Sequence, residues 1–166
     1  MPNTETTASD LARVMEQYKQ TVYGLALSQL KNKQDAEDVF QEVFLTYFRK
    51  APQCDDEPAL RCWLVRTTLN LCKRSNASIW NTRVEKRDDA GEDIPVQFAS
   101  KTENDIWEAV MSLKEKYRVP VYLFYFEDMP IAEIARTFCI DEGAAKMRLS
   151  RARKTLKKRL EGEYFE

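Results

Sequence analysis

Apolar residues recur at intervals of three and four along nearly the whole chain, and the pattern lapses only once, between Asn76 and Lys101. That spacing puts side chains on one face of an α-helix, whereas a strand would need strict alternation. The chain is therefore expected to be all-α. A single lapse splits it into two groups of helices, each with a small core of its own. A chain of 166 residues accommodates two small domains as readily as one of ordinary size.

In the first group, Leu11, Val14, Met15, Tyr18, Val22, Leu25 and Ala26 mark an amphipathic helix that ends in a polar turn at Asn32–Gln34. The next helix spans Asp35 to about Lys50. Its apolar stripe is Ala36, Val39, Phe40, Val43, Phe44, Tyr47 and Phe48, and a second face carries Asp38, Gln41, Glu42 and Leu45. Residues 51–59 read as a loop, because Pro52 and Pro58 punctuate it and Pro58 biases Glu57 away from helix. From Leu60 to about Ser75 the pattern is helical again. Leu60, Trp63, Leu64, Thr67 and Leu71 are expected to face inward, and Arg61, Arg66, Asn70, Lys73 and Arg74 outward. Trp63 lies on the apolar side, which suits a core anchor better than an exposed stacking platform.

Residues 77–101 contain Gly91 and Pro95 and read as a linker, with Ile79, Trp80, Val84, Ile94, Val96 and Phe98 as candidate docking residues. Helical spacing resumes at Ile106, Trp107, Val110 and Met111. A helix over Tyr117–Phe126 accommodates Pro120 if it begins near Lys116, since the first N–H groups of a helix have no internal partner. Asp128–Pro130 is a turn and Ile131–Phe138 a short helix. Cys139–Asp141 is a tight turn with Asp141 as N-cap, and a long helix follows from Gly143 to about Leu160. The last two helices have the layout of a helix-turn-helix. Ala135 is small where the pair crosses, and Ile134, Phe138, Ile140, Ala145 and Leu149 lock it.

The net charge of −1 conceals segregation. Residues 59–84 carry +5 with no acid, and residues 143–160 carry +8 with no acid, while residues 85–108 carry −5. Two basic islands in an otherwise acidic chain point to two contacts with a polyanion. The second island falls on the second helix of the helix-turn-helix. That helix presents Lys146, Met147, Ser150 and Arg151 for base edges, and Arg148, Arg153, Lys154, Lys157 and Lys158 for phosphates.

Other chemistries find little support. The four cysteines, Cys54, Cys62, Cys72 and Cys139, show no C-x-x-C spacing, and the chain has no histidine. No metal site, catalytic residue or cofactor is expected on these grounds. Glycine-rich phosphate loops and a G-x-S-x-G elbow are missing from the sequence. Residues 1–10 are polar and lack a signal-peptide pattern, and no run of 18 apolar residues exists. A cytoplasmic protein without membrane insertion is expected.

Three segments together resemble a known family. YRVPVYLFYFEDMPIAEIARTFCIDEGAAKMRLSRARKTLKKRL is similar to region 4 of the extracytoplasmic-function sigma factors, matching at Arg118, Leu123, Glu133, Ile134, Ala135, Gly143, Lys146, Arg148, Leu149, Arg151, Ala152 and Arg153. DAEDVFQEVFLTYF (35–48) resembles region 2.2, and LRCWLVRTTLN (60–70) its sequel. Ala144-Ala145 stands where the family has Thr-Val, Met147 where it has Ser, and Cys139 where it has the turn glycine. The loop after region 2.2 is acidic here (Cys54-Asp55-Asp56-Glu57) rather than Arg/Gly-bearing. These departures bear on promoter preference, not on fold.

The resemblance implies sigma region 2 at 1–76, a linker at 77–101 and sigma region 4 at 102–166. It further implies core RNA polymerase docked on Asp38, Gln41, Glu42 and Leu45. The −10 element would meet Arg61, Arg66, Asn70, Lys73 and Arg74, and the −35 element Lys146, Met147, Arg148, Ser150, Arg151, Arg153 and Lys154. Core RNA polymerase, promoter DNA and an anti-sigma factor are the implied partners. A stand-alone helix-turn-helix regulator would explain the C-terminal half but leave the 35–48 pattern idle. A purely protein-binding adaptor would leave the +8 helix idle.

Overall fold

The computed structural model describes residues 7–82 and 101–165, with side chains over 7–76 and 103–161. The chain divides into two compact units, Met1–Ile94 and Pro95–Glu166. Among the described residues there are seven α-helices and no strand.

The first unit is a three-helix bundle of α1 (Ala8–Leu30), α2 (Lys33–Lys50) and α3 (Glu57–Thr82), each packed on the other two. Thr7 opens α1 through a capping box with Asp10, which satisfies two backbone donors that have no partner inside the helix. Lys31 closes α1 in the left-handed conformation, and Asn32 caps α2 by accepting from the Asp35 N–H at 3.0 Å. The turn is therefore only two residues long, and Gln34, expected in it, is helical. Val14, Val22, Leu25, Val43, Leu64 and Val65 are the fully enclosed core of this bundle. Burying a side chain of this size contributes about 1.5–3 kcal/mol.

Helix α3 departs from expectation at both ends. It begins at Glu57, not Leu60, because Asp56 caps it: the Asp56 carboxylate accepts from the Ala59 N–H at 2.7 Å. Pro58 then falls in the first turn, where its missing N–H costs nothing. At the other end α3 runs to Thr82, so the first six residues expected to form the linker are helical. Residues 83–100, with the proposed docking residues Val84, Ile94, Val96 and Phe98, lie outside the described residues, as do the side chains of Ile79 and Trp80, and Lys101 is helical again. The inward stripe is also rotated. Leu60, Cys62, Leu64, Val65, Thr68, Leu69 and Cys72 are buried, whereas Trp63, Thr67 and Leu71 are half-buried. Trp63 sits edge-on to Tyr47 with ring centroids 6.1 Å apart, as suits an anchor between α2 and α3.

The second unit contains α4 (Lys101–Met111), α5 (Glu115–Val121), α6 (Ile131–Phe138) and α7 (Glu142–Phe165). Helix α7 packs on the other three. Its Leu149 and Ala152 meet Val110, Met111, Leu113 and Val121 in one apolar cluster. Helix α5 starts at Glu115, which puts Pro120 beyond the first turn. A proline there removes one i→i−4 bond, and α5 passes directly into a widened π-helical turn at Tyr122–Phe126. Tyr122 stacks on Phe126 there, and Trp107 of α4 packs edge-on to both. Burial and the Glu127 carboxylate, which accepts from Tyr122 Oη at 3.0 Å, push the Tyr122 hydroxyl well above its ordinary pKa.

Candidate nucleic-acid and protein interfaces

Helices α6 and α7 are set by local chemistry. Cys139 ends α6 in the left-handed conformation (φ 55°), and the Ile140 N–H returns to the Ala135 carbonyl at 3.0 Å. This closes the helix in the manner usually given to glycine. Asp141 accepts from the Ala144 N–H at 2.6 Å and caps α7, as expected from its place. Ile134, Ala135, Ala145 and Leu149 are buried at the crossing, so the helix-turn-helix is locked by the residues chosen for it, with Phe138 and Ile140 half-buried beside them.

The rest of α7 faces outward. Lys146, Met147, Ser150, Arg151, Arg153 and Lys154 are exposed and Arg148 is half-buried. At 100° per residue, Lys146, Met147, Ser150 and Lys154 share an arc of about 100°. Arg151 continues that arc on one side and Arg153 on the other. Arg148 lies further round, with its guanidinium 5.7 Å from the Phe138 ring. Arg153 is held by rings on the opposite flank, 5.8 Å from Phe124 and 5.7 Å from Tyr125, and its Nε–H donates to Tyr125 Oη at 2.5 Å. The sequence-predicted set is thus one continuous cationic surface with an exposed methionine in its middle, flanked by two ring-supported arginines.

The basic residues of α3 are less unified. Arg66, Asn70, Lys73 and Arg74 are exposed and fall within an arc of about 100°. Arg61 does not join them. It lies about 140° from Arg66 around the helix, near the Tyr18–Glu57 pair, where its charge acts on the Tyr18 hydroxyl. That hydroxyl donates to Glu57, and its pKa is raised chiefly by burial and then by the Glu57 carboxylate. Of the three acids in the 54–57 stretch, Asp56 is a helix cap and Glu57 a buttress between α1 and α3. Asp55, the remaining acid, is exposed.

On α2, Asp38, Gln41 and Leu45 are exposed and Glu42 is half-buried, all within an arc of about 100°. Two further residues on this face escaped the sequence reading. Arg49 pairs with Glu42 at 2.7 Å. Phe48, counted with the buried stripe, is 42% exposed, and Leu45 is 53% exposed. Angular bookkeeping would have found Phe48, which lies at the margin of the stripe. Beside Gln41, an open apolar groove of about 450 Å³ runs between α1 and α2, lined by Lys19, Gln20, Tyr23, Glu37 and Phe40. The face therefore offers a carboxylate, an amide, an ion pair and two unpartnered apolar side chains, a mixture typical of protein contacts.

Among the described residues no cluster of metal-ligating side chains occurs, and no helix is long and apolar enough to cross a membrane. Cys62 and Cys72 are buried and Cys139 is exposed, and no disulfide joins the four cysteines.

Comparison with known proteins agrees on the two units. Residues 14–80 match the family described as Sigma-70 region 2, and residues 103–156 match Sigma-70, region 4. The RNA polymerase sigma factor SigV of Bacillus subtilis (strain 168) is 27% identical, with 98% of this chain and 98% of that protein aligned. The ECF RNA polymerase sigma factor SigW of the same organism is 26% identical over 90% of this chain and 88% of its own length. The fold is shared with the sigma factor RpoE solved in complex with the anti-sigma factor NepR from Bartonella quintana. That match has a TM-score of 0.71 and 20% identity, and covers 93% of this chain and 98% of that one. It is shared also with CnrH, solved in complex with the cytosolic domain of CnrY, at TM-score 0.70 and 18% identity, covering 96% and 92%.

Proposed function

The chain belongs to the extracytoplasmic-function sigma factors of the sigma-70 family, and from that premise we propose how its surfaces divide the work of promoter-specific initiation. The α2 face of Asp38, Gln41, Glu42 and Leu45, extended by Phe48 and Arg49, docks on core RNA polymerase. Exposed apolar side chains are tolerated there because a partner covers them. Arg66, Asn70, Lys73 and Arg74 on α3 hold the backbone of the −10 element, and Arg61 serves the bundle instead. Cationic groups beside an opened duplex stabilise the separated strand. On α7, Lys146, Met147, Ser150 and Arg151 read base edges of the −35 element in the major groove, while Arg148, Arg153 and Lys154 contact phosphates.

Residues 1–76 act in this scheme as the polymerase and −10 module and residues 102–166 as the −35 module. The last turns of α3 extend the first module into the connecting segment. The scheme gives the chain no catalytic step, metal or cofactor of its own and places it in the cytoplasm with the polymerase. An anti-sigma polypeptide is the further partner. A stand-alone operator binder is not favoured, because it assigns no role to the α2 face.

The observation that carries the reading is the pairing of a mixed apolar and acidic face on α2 with a cationic groove-sized helix at α7. The test is co-elution with bacterial core RNA polymerase on a sizing column. The wild-type chain co-elutes, and a triple variant (Asp38→Ala, Gln41→Ala, Glu42→Ala) does not. Retention of binding by the folded triple variant would remove the docking face from α2.

A further inference from the structure

Tyr125 is half exposed, at 50%, on the π-helical turn that precedes α6. Such widened turns cost hydrogen-bond geometry and recur at functional positions. The hydroxyl is turned to α7, where it accepts the Arg153 Nε–H at 2.5 Å. The same guanidinium lies 5.7 Å from the Tyr125 ring and 5.8 Å from that of Phe124. It is thus fixed through its Nε and its face. The two terminal nitrogens make no hydrogen bond within the described part of the protein and form the edge that matches a phosphate in bidentate fashion. Arg148 on the other flank has ring contact with Phe138 but no such hydrogen bond. Other basic side chains of α7, such as Lys154, are exposed with no ring against them.

We propose that Tyr125 is a positioning residue for duplex binding: it holds Arg153 in one orientation, with its terminal N–H groups presented to a DNA backbone phosphate beside the groove that α7 enters. The inference rests on the duplex-binding role of α7 given above. Its physical basis is preorganisation. A free arginine side chain has many rotamers, and binding must remove them. A side chain already clamped has fewer to lose, so the contact forms more tightly without any added charge.

The test uses the full chain and a fluorescein-labelled, mixed-sequence duplex of about 30 base pairs, titrated by anisotropy between about 50 and 200 mM salt, the range over which phosphate contacts are read. The variants are Tyr125→Phe, Arg153→Ala, the double variant, and Lys157→Ala as a reference, each checked for an unchanged unfolding midpoint. Tyr125→Phe keeps the ring and removes only the acceptor. It is expected to weaken binding about threefold with the salt slope unchanged, since the charge stays in place. Arg153→Ala is expected to flatten the slope by about 0.9. Adding Tyr125→Phe to Arg153→Ala is expected to change nothing more. A loss from Tyr125→Phe that is the same in both backgrounds, or absent in the wild type while Arg153→Ala flattens the slope, overturns the positioning role and leaves α7 as the duplex-binding helix. If neither Arg153→Ala nor Lys157→Ala alters the slope, the duplex-binding role fails and this inference fails with it.

Discussion

Asp141 caps the start of α7, and its replacement has two separable effects. Its carboxylate accepts from the Ala144 N–H at 2.6 Å, satisfying one of the donors that a helix start leaves open. Loss of such a cap costs about 0.5–2 kcal/mol, and loss of the negative charge at a helix N-terminus adds about 0.3–1 kcal/mol. For Asp141→Ala the expected destabilisation is therefore about 1–3 kcal/mol. The unit it belongs to, Pro95–Glu166, is small. In domains of that size each kcal/mol lowers the midpoint by about 4–8 °C. Calorimetry of the full chain should show the transition of this unit falling by about 4–24 °C, on that same conversion, with the transition of the first unit unmoved. Asp141→Asn keeps an acceptor in place, because asparagine caps nearly as well as aspartate, and should lose only the charge part. It also removes a negative charge from the end of a helix that faces phosphates. A single unit charge at contact distance in water is worth about 1 kcal/mol, so Asp141→Asn should tighten duplex binding at low salt by at most about fivefold. A drop in stability for Asp141→Asn as large as that for Asp141→Ala would refute the capping argument.

Arg151→Ala should weaken promoter binding and relax preference at one −35 position, whereas Lys157→Ala should weaken all duplexes alike and flatten the salt slope by about 0.9. Competition binding against single-base variants of the −35 element separates the two. Leu45→Ser should leave the stability within about 0.5 kcal/mol, as for surface positions generally, yet weaken co-elution with core polymerase. An unchanged elution profile would place the docking face elsewhere. The Tyr18 and Tyr122 hydroxyls are both raised, chiefly by burial. A raised pKa means the neutral form is favoured in the fold, so that stability is fully present below the unfolded tyrosine value, about 10, and is lost as pH rises above it. Denaturant titrations at increasing alkaline pH should show this loss, and Tyr122→Phe should lessen it.

The helical character and the two-unit division were legible because both rest on periodicity, which the chain repeats many times. Capping was legible where one polar residue preceded an apolar run, as at Asp141. It was missed at Asp56, where three acids in a row disguised which of them ends the loop. Pro58 and Pro120 show the limit of reading proline as punctuation. Pro58 biases Glu57 away from helix and so argues for a later start to α3, yet the first turn admits it. Pro120 was expected in a first turn, yet it sits inside α5, just ahead of a widened turn that no spacing rule announces.

The candidate interfaces were legible as lists of residues but not as surfaces. A basic island says that charge is concentrated, not that it points one way. Around α3, helical geometry sends Arg61 to the side of Tyr18 and Glu57, while Arg66, Asn70, Lys73 and Arg74 stay together. Around α7 the same geometry keeps the cations on one surface, because Ala145, Leu149 and Ala152 occupy the opposite stripe. What periodicity cannot supply is the neighbour. Glu42 meets Arg49 within one helix, a pairing that spacing alone could suggest. Arg153 meets Tyr125 across 28 residues of sequence, through the crossing of two elements, and only the packed unit brings them within reach. A side chain's charge is written in the sequence, but the direction in which that charge is presented depends on what it leans against.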